Sequence, residues 1–353
     1  MKAGIFGCGF IANTHARALR SCGVELCAVV SRDEEKAKAF AAQWNIPRWG
    51  TDLSCMTEAG VDCVHICTPP ETHYAAAKLL LEHGKHIICE KPLCDDPAEA
   101  AELAALAAEK GLVCAVNFNV RFHDACQKAR QLVQQPDFGP VLLVHGSYLQ
   151  EFGALPAWKD WRYDSKMHAV TEIGSHWLDL AEYISGQRVV AVSAQFGCFW
   201  PERHVKDGTM YARALEGSTV CAVESEDAAT VQLRFANGSI GAVTLSEVSQ
   251  GRYNRLTLEV TGEGKNLWWD SENQNLLSYA RKGGTVESNV FAFGTGFDDT
   301  FRKLMEQVYG DIGAGLPEKA EYATFADGAH SVALCEAVYR SAKADSKWMR
   351  VEG

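Results

Sequence analysis

With 353 residues, 47% apolar content and a formal charge of −11, the chain is long enough for two sizeable cores and too long for one ordinary domain. The charge is spread without an acidic or basic block, which argues against a nucleic-acid surface, and no apolar run reaches membrane-spanning length. Thirteen cysteines, with Cys27, Cys63, Cys67, Cys89 and Cys114 inside apolar runs and no C-x-x-C spacing, read as small buried hydrophobes of a reducing compartment. Met1-Lys2 runs straight into an apolar segment, so no secretory leader and a cytoplasmic location are expected.

The predicted elements begin with a strand at Ala3–Phe6, followed at once by Gly7-Cys8-Gly9-Phe10-Ile11-Ala12. Gly-x-Gly-x-x-Ala between a strand and a helix lets the backbone turn tightly and approach a diphosphate at the helix N-terminus. Gly7, Gly9, Phe10, Ile11 and Ala12 are therefore candidate dinucleotide contacts. A helix follows from Ile11 to Leu19, then a strand at Leu26–Val30 that ends in Ser31-Arg32-Asp33. An acid at this strand end accepts from ribose hydroxyls, whereas a neutral residue followed by Arg accommodates a 2′-phosphate. Ser31 and Arg32 tilt the cofactor from NAD toward NADP, and Asp33 pulls the other way. Ser31-x-x-Glu34 also reads as a capping box for the next helix, whose apolar face is Ala37, Phe40, Ala41 and Trp44.

A strand over Val61–Cys67 leads into Thr68-Pro69-Pro70 and His73. Thr68 and Pro69 at that strand end suit a wall beside a nicotinamide. His73 reads equally as a cofactor contact or as a solvated helix residue. After a helix over Ala75–His83, the strand His86–Cys89 ends in Glu90-Lys91-Pro92. A lysine at the carboxyl end of a parallel strand faces the crevice where a nicotinamide lies and trades a proton with a substrate hydroxyl. Proline after it fits a turn fixed by a cis bond. Asp96-Pro97-Ala98-Glu99 opens a helix that closes at Gly111, and the strand Leu112–Val116 completes the alternation. Strand–helix alternation of this kind predicts a doubly wound parallel α/β sheet over residues 1–120.

Past residue 120 the texture changes. Asn119 and Arg121 follow the fifth strand, placed to reach cofactor or substrate. A helix over His123–Gln135 gives way to strands at Val141–Tyr148, Val189–Phe196, Ala229–Phe235, Ser239–Ser246, Arg255–Thr261 and Asn266–Trp269, with Asn237-Gly238 marking a hairpin. Helices are expected at Glu172–Ser185 and Phe325–Ala344, giving an α+β second domain on a mostly antiparallel sheet. Trp161, Arg162 and Tyr163, near Trp158 and Asp164, mix aromatic faces with hydrogen-bonding groups, a combination suited to carbohydrate or to interface packing. Glu172, His176 and Asp179 share one helix face. A carboxylate–imidazole pair handles protons; without a third ligand at a convincing spacing, a metal is not expected.

The Gly7-x-Gly9-x-x-Ala12 turn, Thr68-Pro69, Glu90-Lys91-Pro92, Asn119-Val120-Arg121-Phe122 and Gly174-Ser175-His176-Trp177-Leu178-Asp179 together resemble the Gfo/Idh/MocA oxidoreductases. These are named for glucose–fructose oxidoreductase and inositol dehydrogenase. Phe325-Ala326-Asp327-Gly328 is similar to family members as well, so the resemblance spans essentially the whole chain. It implies a Rossmann domain over 1–120 and an α+β domain over 121–353 with a large, mostly antiparallel open sheet, the last helix packing back on the first domain. It further implies a homodimer or homotetramer and NAD(P)-dependent hydride transfer at a secondary hydroxyl or carbonyl of a sugar or polyol. The family lysine maps to Lys91 and the family histidine to His176. The family aspartate four residues earlier is Glu172 here, a methylene longer, and His123 stands where proline is frequent. Relatives that run a redox-neutral NAD-dependent glycosidase or lyase cycle, or that only sense the cofactor, remain the alternative readings.

Overall fold

The short apolar runs of the N-terminal third pair as parallel strands because each is flanked by turn residues and followed by a helix able to cover the sheet. In the computed structural model, which describes every residue except Ala59, Asp160, Gly294, Thr295 and Gly353, these elements are β1 (Lys2–Phe6), α1 (Phe10–Ser21), β2 (Glu25–Val30), α2 (Glu34–Trp44), β3 (Arg48–Gly50), β4 (Cys63–Ile66), α3 (His73–Glu82), β5 (His86–Cys89), α4 (Pro97–Lys110) and β6 (Cys114–Val116). The strands lie in the order β6-β5-β4-β1-β2-β3, and Ala323–Thr324 adds antiparallel to β6. Alternate residues go to opposite faces. Ile5 and Ile88 face α1 and the helix Phe297–Ala314 through Leu19, Leu304 and Met305, whereas Val64, Ile66 and Ile87 face α3 and α4 through Leu80 and Leu103. Each such side chain, removed from water, contributes about 1.5–3 kcal/mol.

The caps follow the sequence with one correction. Asp96 accepts from the Ala98 and Glu99 amides at the start of α4, with Pro97 in the first turn, and Gly111 closes the helix at φ 63°. For α2 the expected cap, Ser31, is wrong. Asp33 caps the helix by accepting from the Lys36 amide at 3.1 Å, and Ser31 Oγ accepts the Asp33 N–H at 3.4 Å. The cap moves because helical geometry begins only at Glu34, so the side chain in reach of the free amides belongs to Asp33.

A second unit runs from Asp124 through the strand Val286–Val290 and includes Leu334–Glu352, while the helix Phe297–Ala314 and the strand Ala323–Thr324 count with Met1–His123. The chain thus leaves the first unit after His123 and later returns to it. In the second unit α5 (Asp124–Val133) and α6 (Ser175–Ser185) cover one face of a nine-stranded sheet, with β7 (Val141–Leu149) at its centre. Around β7 stand Arg255–Gly262, antiparallel, and Ile240–Ser246, the one parallel neighbour; Ala228–Phe235 pairs antiparallel with the latter through the hairpin at Asn237-Gly238. Gly146 of β7 makes the helix–sheet contact close. A Cβ there would lie 2.0 Å from the Thr257 carbonyl oxygen and 3.0 Å from Trp177 Nε1, and the buried Trp177 indole donates to that same carbonyl at 2.8 Å.

A small four-stranded sheet, built from Ala157–Trp158, Glu202–Lys206, Thr209–Tyr211 and Thr219–Ala222, was not apparent in the sequence. Among the described residues no helix is long and apolar enough to cross a membrane, and all thirteen cysteines are free thiols.

Candidate active site

The glycine turn is built for close approach. Gly7 has φ +111°, and a Cβ on it would meet the Cys67 carbonyl oxygen at 2.6 Å; its amide donates to the Val30 carbonyl at 2.8 Å. Gly9, in extended geometry, is the N-cap of α1 and offers no side-chain cap, and the first turn carries no acidic residue. Nothing lies within 4 Å of the Cβ that Gly9 lacks. The helix start therefore presents unsatisfied amides and the positive end of the dipole with no side chain in the way. Ile11 is half-buried, Ala12 is buried in the core and Phe10 is exposed. These residues fit the diphosphate of a dinucleotide. At the neighbouring strand end Arg32 is exposed and Ser31 half-buried, while Asp33 is engaged in capping α2.

The next two strand ends are tied together. Thr72 Oγ1 donates to the Pro69 carbonyl and stands 2.6 Å from Thr68 Oγ1. Lys91-Pro92 is a cis peptide, as the sequence predicts. The His73 ring lies between these turns, fully buried, with Nδ1 2.8 Å from the Pro92 carbonyl oxygen and Nε2 2.7 Å from that of Thr68. The solvated reading of His73 is corrected: the ring is buried, and both its nitrogens face backbone carbonyls, so it braces the turns at these two strand ends.

Glu90 and Lys91 diverge. Lys91 is half-buried. Glu90 turns inward, where its carboxylate meets His15 Nε2 at 2.8 Å and Asn117 Nδ2 at 2.5 Å. The chain of contacts continues from His15 Nδ1 to His65 Nδ1 at 2.8 Å and from His65 Nε2 to the Tyr309 hydroxyl at 2.9 Å. Burial works to raise the Glu90 carboxyl, but the bond and charge of His15, with Asn117 and Lys91, overcome it and hold the group below its usual range. Burial, reinforced by His15, drives the His65 imidazole well below 6.5. Glu90, a candidate cofactor contact by its place in the Glu90-Lys91-Pro92 turn, thus spends one carboxylate oxygen on inward bonds. Asn119 and Arg121 are also drawn in: Asn119 Nδ2 donates to Thr300 Oγ1 at 2.7 Å, and Arg121 lies 3.9 Å from Asp327. Gly328, next to Asp327, sits where a Cβ would strike Val116 Cγ2 at 2.5 Å, so the small residue lets this segment lie on β6.

In the second unit a π-helical turn, Val170–Gly174, runs directly into α6. Such turns recur at functional sites. It carries Glu172, and His176 follows in the first turn of α6; both are half-buried. Glu172 Oε2 lies 3.0 Å from Arg162 Nε, and the Arg162 guanidinium lies over the half-buried Trp161 ring at 4.8 Å. Tyr163 instead is buried with Met210 and Val223, its ring against His168 and the Arg203 guanidinium, the interface-packing arrangement that its aromatic face also suits. The π turn is held from below by Glu226, which accepts the Val170 amide at 2.7 Å and the His168 amide at 3.1 Å. Burial pushes the Glu226 carboxyl up to about 7. Beside it Arg203 bonds Asp227 and the Gly153 carbonyl, both at 2.7 Å. Sequence reasoning missed His15, His65, Tyr309, Arg203 and Glu226. Only His15 left a signal, one helical turn beyond the glycine motif.

Residues 1–118 match the family model described as the oxidoreductase family with an NAD-binding Rossmann fold, and residues 126–267 match the C-terminal domain of the same family. The chain belongs to the Gfo/Idh/MocA family of oxidoreductases. Among Gfo/Idh/MocA relatives, the levoglucosan dehydrogenase of Pseudarthrobacter phenanthrenivorans is 26% identical, the match covering 99% of this chain and 98% of that one. The D-glucoside 3-dehydrogenase of Escherichia coli is 29% identical over 53% of this chain and 54% of its own. An oxidoreductase domain protein from Kribbella flavida superposes with a TM-score of 0.90 at 27% identity, over 99% of both chains. Levoglucosan dehydrogenase in complex with NADH and levoglucosan superposes with a TM-score of 0.89 at 24% identity over 100% of both chains, which establishes the shared fold.

Proposed function

We propose that this Gfo/Idh/MocA oxidoreductase moves a hydride between NAD(P) and a secondary hydroxyl or carbonyl of a sugar, polyol or sugar derivative. One observation carries the reading: within a single parallel sheet, an uncapped glycine turn and the turn bearing Lys91 stand at strand ends of the same edge. The near-full-length relation to a levoglucosan dehydrogenase supports the substrate class.

The α1 amides past Gly9 hold the diphosphate, with Phe10 and Ile11 at the rim and Ala12 packed behind. Ser31 and Arg32 receive the adenosine ribose, and we favour NADP because Asp33 is committed to α2. Thr68 and Pro69 wall the nicotinamide, which when bound supplies a hydride acceptor or donor at its C4. Lys91 handles the proton of the reacting hydroxyl, and His176 is the second unit's own candidate for proton transfer. Glu172, paired with Arg162, fixes the turn before His176, and Trp161 offers a flat face for sugar C–H groups. Arg121 and Asn119 hold the segment after β6 in place. The second unit's sheet joins copies into a dimer or tetramer.

The test is the near-ultraviolet absorbance of reduced nicotinamide, followed with NAD or NADP across a panel of sugars, polyols and aryl glycosides. Cofactor reduction dependent on one of these supports the assignment. Aglycone release without lasting reduction gives the redox-neutral glycosidase instead. Binding of the cofactor with no hydride transfer to any member of the panel overturns the assignment. In the active pairing, Lys91→Ala is expected to lower kcat roughly 10²–10⁴-fold while the Kd for NADH holds.

A further inference from the structure

The buried row Glu90–His15–His65–Tyr309 is more than packing needs. Its members come from α1, β4, the helix Phe297–Ala314 and the turn after β5, and each of the three contacts spans 2.8 or 2.9 Å. His15 and His65 are fully buried, and Glu90, Asn117 and Tyr309 nearly so. A buried ion or imidazole is tolerated only when its hydrogen bonds are made, and this row makes them in two ways.

In one, His15 is an imidazolium that donates to Glu90 and to His65 Nδ1, and His65 donates through Nε2 to the Tyr309 oxygen. In the other, His15 is neutral, donates only to Glu90 and accepts from His65, and the Tyr309 hydroxyl donates to His65 Nε2. No ring nitrogen is left unpaired in either state. The two differ by one proton, so the charge of the Glu90–His15 pair is zero in the first and one negative unit in the second. That charge sits on the residue preceding Lys91. The other titratable groups facing the row are Cys63 on β4, Asp62 before it and Cys67 after it, Cys27 on β2 and Cys89 on β5, together with Lys91 itself. Phe301 closes the remaining side of the His15 ring at 5.4 Å.

We propose that His15 is a positioning residue for the reaction: acting through Glu90, it fixes the direction and the charge of the carboxylate next to the lysine that handles the substrate proton. The proposal rests on the reading of Lys91 given above. It assigns no contact with substrate to His15. Its consequence is that kcat and its pH dependence depend on a histidine buried behind the glycine turn, whereas cofactor affinity does not.

The test compares His15→Phe, His15→Gln, Glu90→Gln and Lys91→Ala in the holoenzyme on the same substrate. Phe keeps the ring volume and removes both nitrogens; Gln returns an N–H near the place of Nε2. His15→Phe is expected to lower kcat roughly ten- to hundredfold, a part of what proton handling supplies, with KM and the Kd for NADH changed less than about twofold. His15→Gln is expected to recover most of the loss. Glu90→Gln, which keeps the shape and removes the charge, is expected to lower kcat and move the limb of the kcat/KM–pH profile by about one pH unit, the size of effect a close charge has. If His15→Phe does not fold, the other variants decide. Wild-type kcat in a folded His15→Phe, or wild-type kcat with an unmoved profile in Glu90→Gln, overturns this proposal alone when Lys91→Ala is inactive. An active Lys91→Ala overturns the reading beneath it.

Discussion

An alanine at Gly7 would carry its Cβ 2.6 Å from the Cys67 carbonyl oxygen in a backbone at φ +111°, whereas at Gly9 nothing lies within 4 Å. The two substitutions therefore separate stability from binding. Gly7→Ala is expected to cost roughly 1–3 kcal/mol from the backbone alone, more with the clash, read as a lowered Tm. Gly9→Ala is expected to keep its Tm and weaken NADH binding at least tenfold, because the new methyl stands where the diphosphate approaches. Equal Tm values for the two variants would contradict this division. Arg32 has a comparable test at the strand end. Arg32→Ala should cut kcat/KM with NADP about tenfold, the worth of one exposed charge-assisted contact, and leave that with NAD nearly unchanged. An unchanged NADP-to-NAD ratio would remove Arg32 from the adenosine site. His73 and Glu90 show why residue identity misleads. Both were legible as polar groups near strand ends, but a polar group turns to whichever partner satisfies it, and the Pro92 carbonyl that His73 meets and the His15 ring that Glu90 meets lie 19 and 75 residues away in sequence.

At the scale of elements, the π turn Val170–Gly174 stands on a carboxylate that is costly to ionise. Glu226 titrates at about 7 against an ordinary 4.5, chiefly because of burial. A carboxyl raised in the folded state loses its proton first in the unfolded chain, so stability falls as pH rises between those values and the loss is complete above them. For this group the loss is on the order of 3 kcal/mol. His168, depressed by burial, slopes the opposite way, so the variant is needed to isolate Glu226. Glu226→Gln is expected to flatten the fall in Tm across pH 4.5 to 7; an unchanged slope would refute the assignment. The helix Phe297–Ala314 illustrates what was legible and missed. Phe301, Leu304, Met305 and Val308 have helical spacing and are all buried, but the segment follows a long run of strands and lacks a strong cap. By contrast Asp96-Pro97 and Gly111 declared both ends of α4, because caps act locally and need no tertiary partner.

For the whole molecule, the open face of the nine-stranded sheet is the place to test assembly. Along Ile240–Ser246, Gly241, Val243 and Leu245 point into the core, and Ile240, Ala242 and Thr244 are exposed. Ala242 pairs with Gln232 on one side and His145 on the other, at the middle of that face. Light scattering is expected to give a mass of two or four copies of the 38.6 kDa chain, and Ala242→Arg to reduce it to one copy with cofactor binding kept. A monomeric wild type would end the proposal. The sequence by itself determined the class of each layer, the glycine turn, the lysine turn with its cis proline, the caps of α4 and the family, since all of these are written in contiguous residues whose periodicity and turn chemistry act over a few positions. Tertiary structure alone decided that Glu90 faces His15, that Glu172 pairs with Arg162, that Glu226 supports the π turn and that the helix Phe297–Ala314 returns to the first unit. These are pairings between distant segments, and a buried polar or apolar group is satisfied by whatever the fold brings within a few ångströms, which no local pattern encodes.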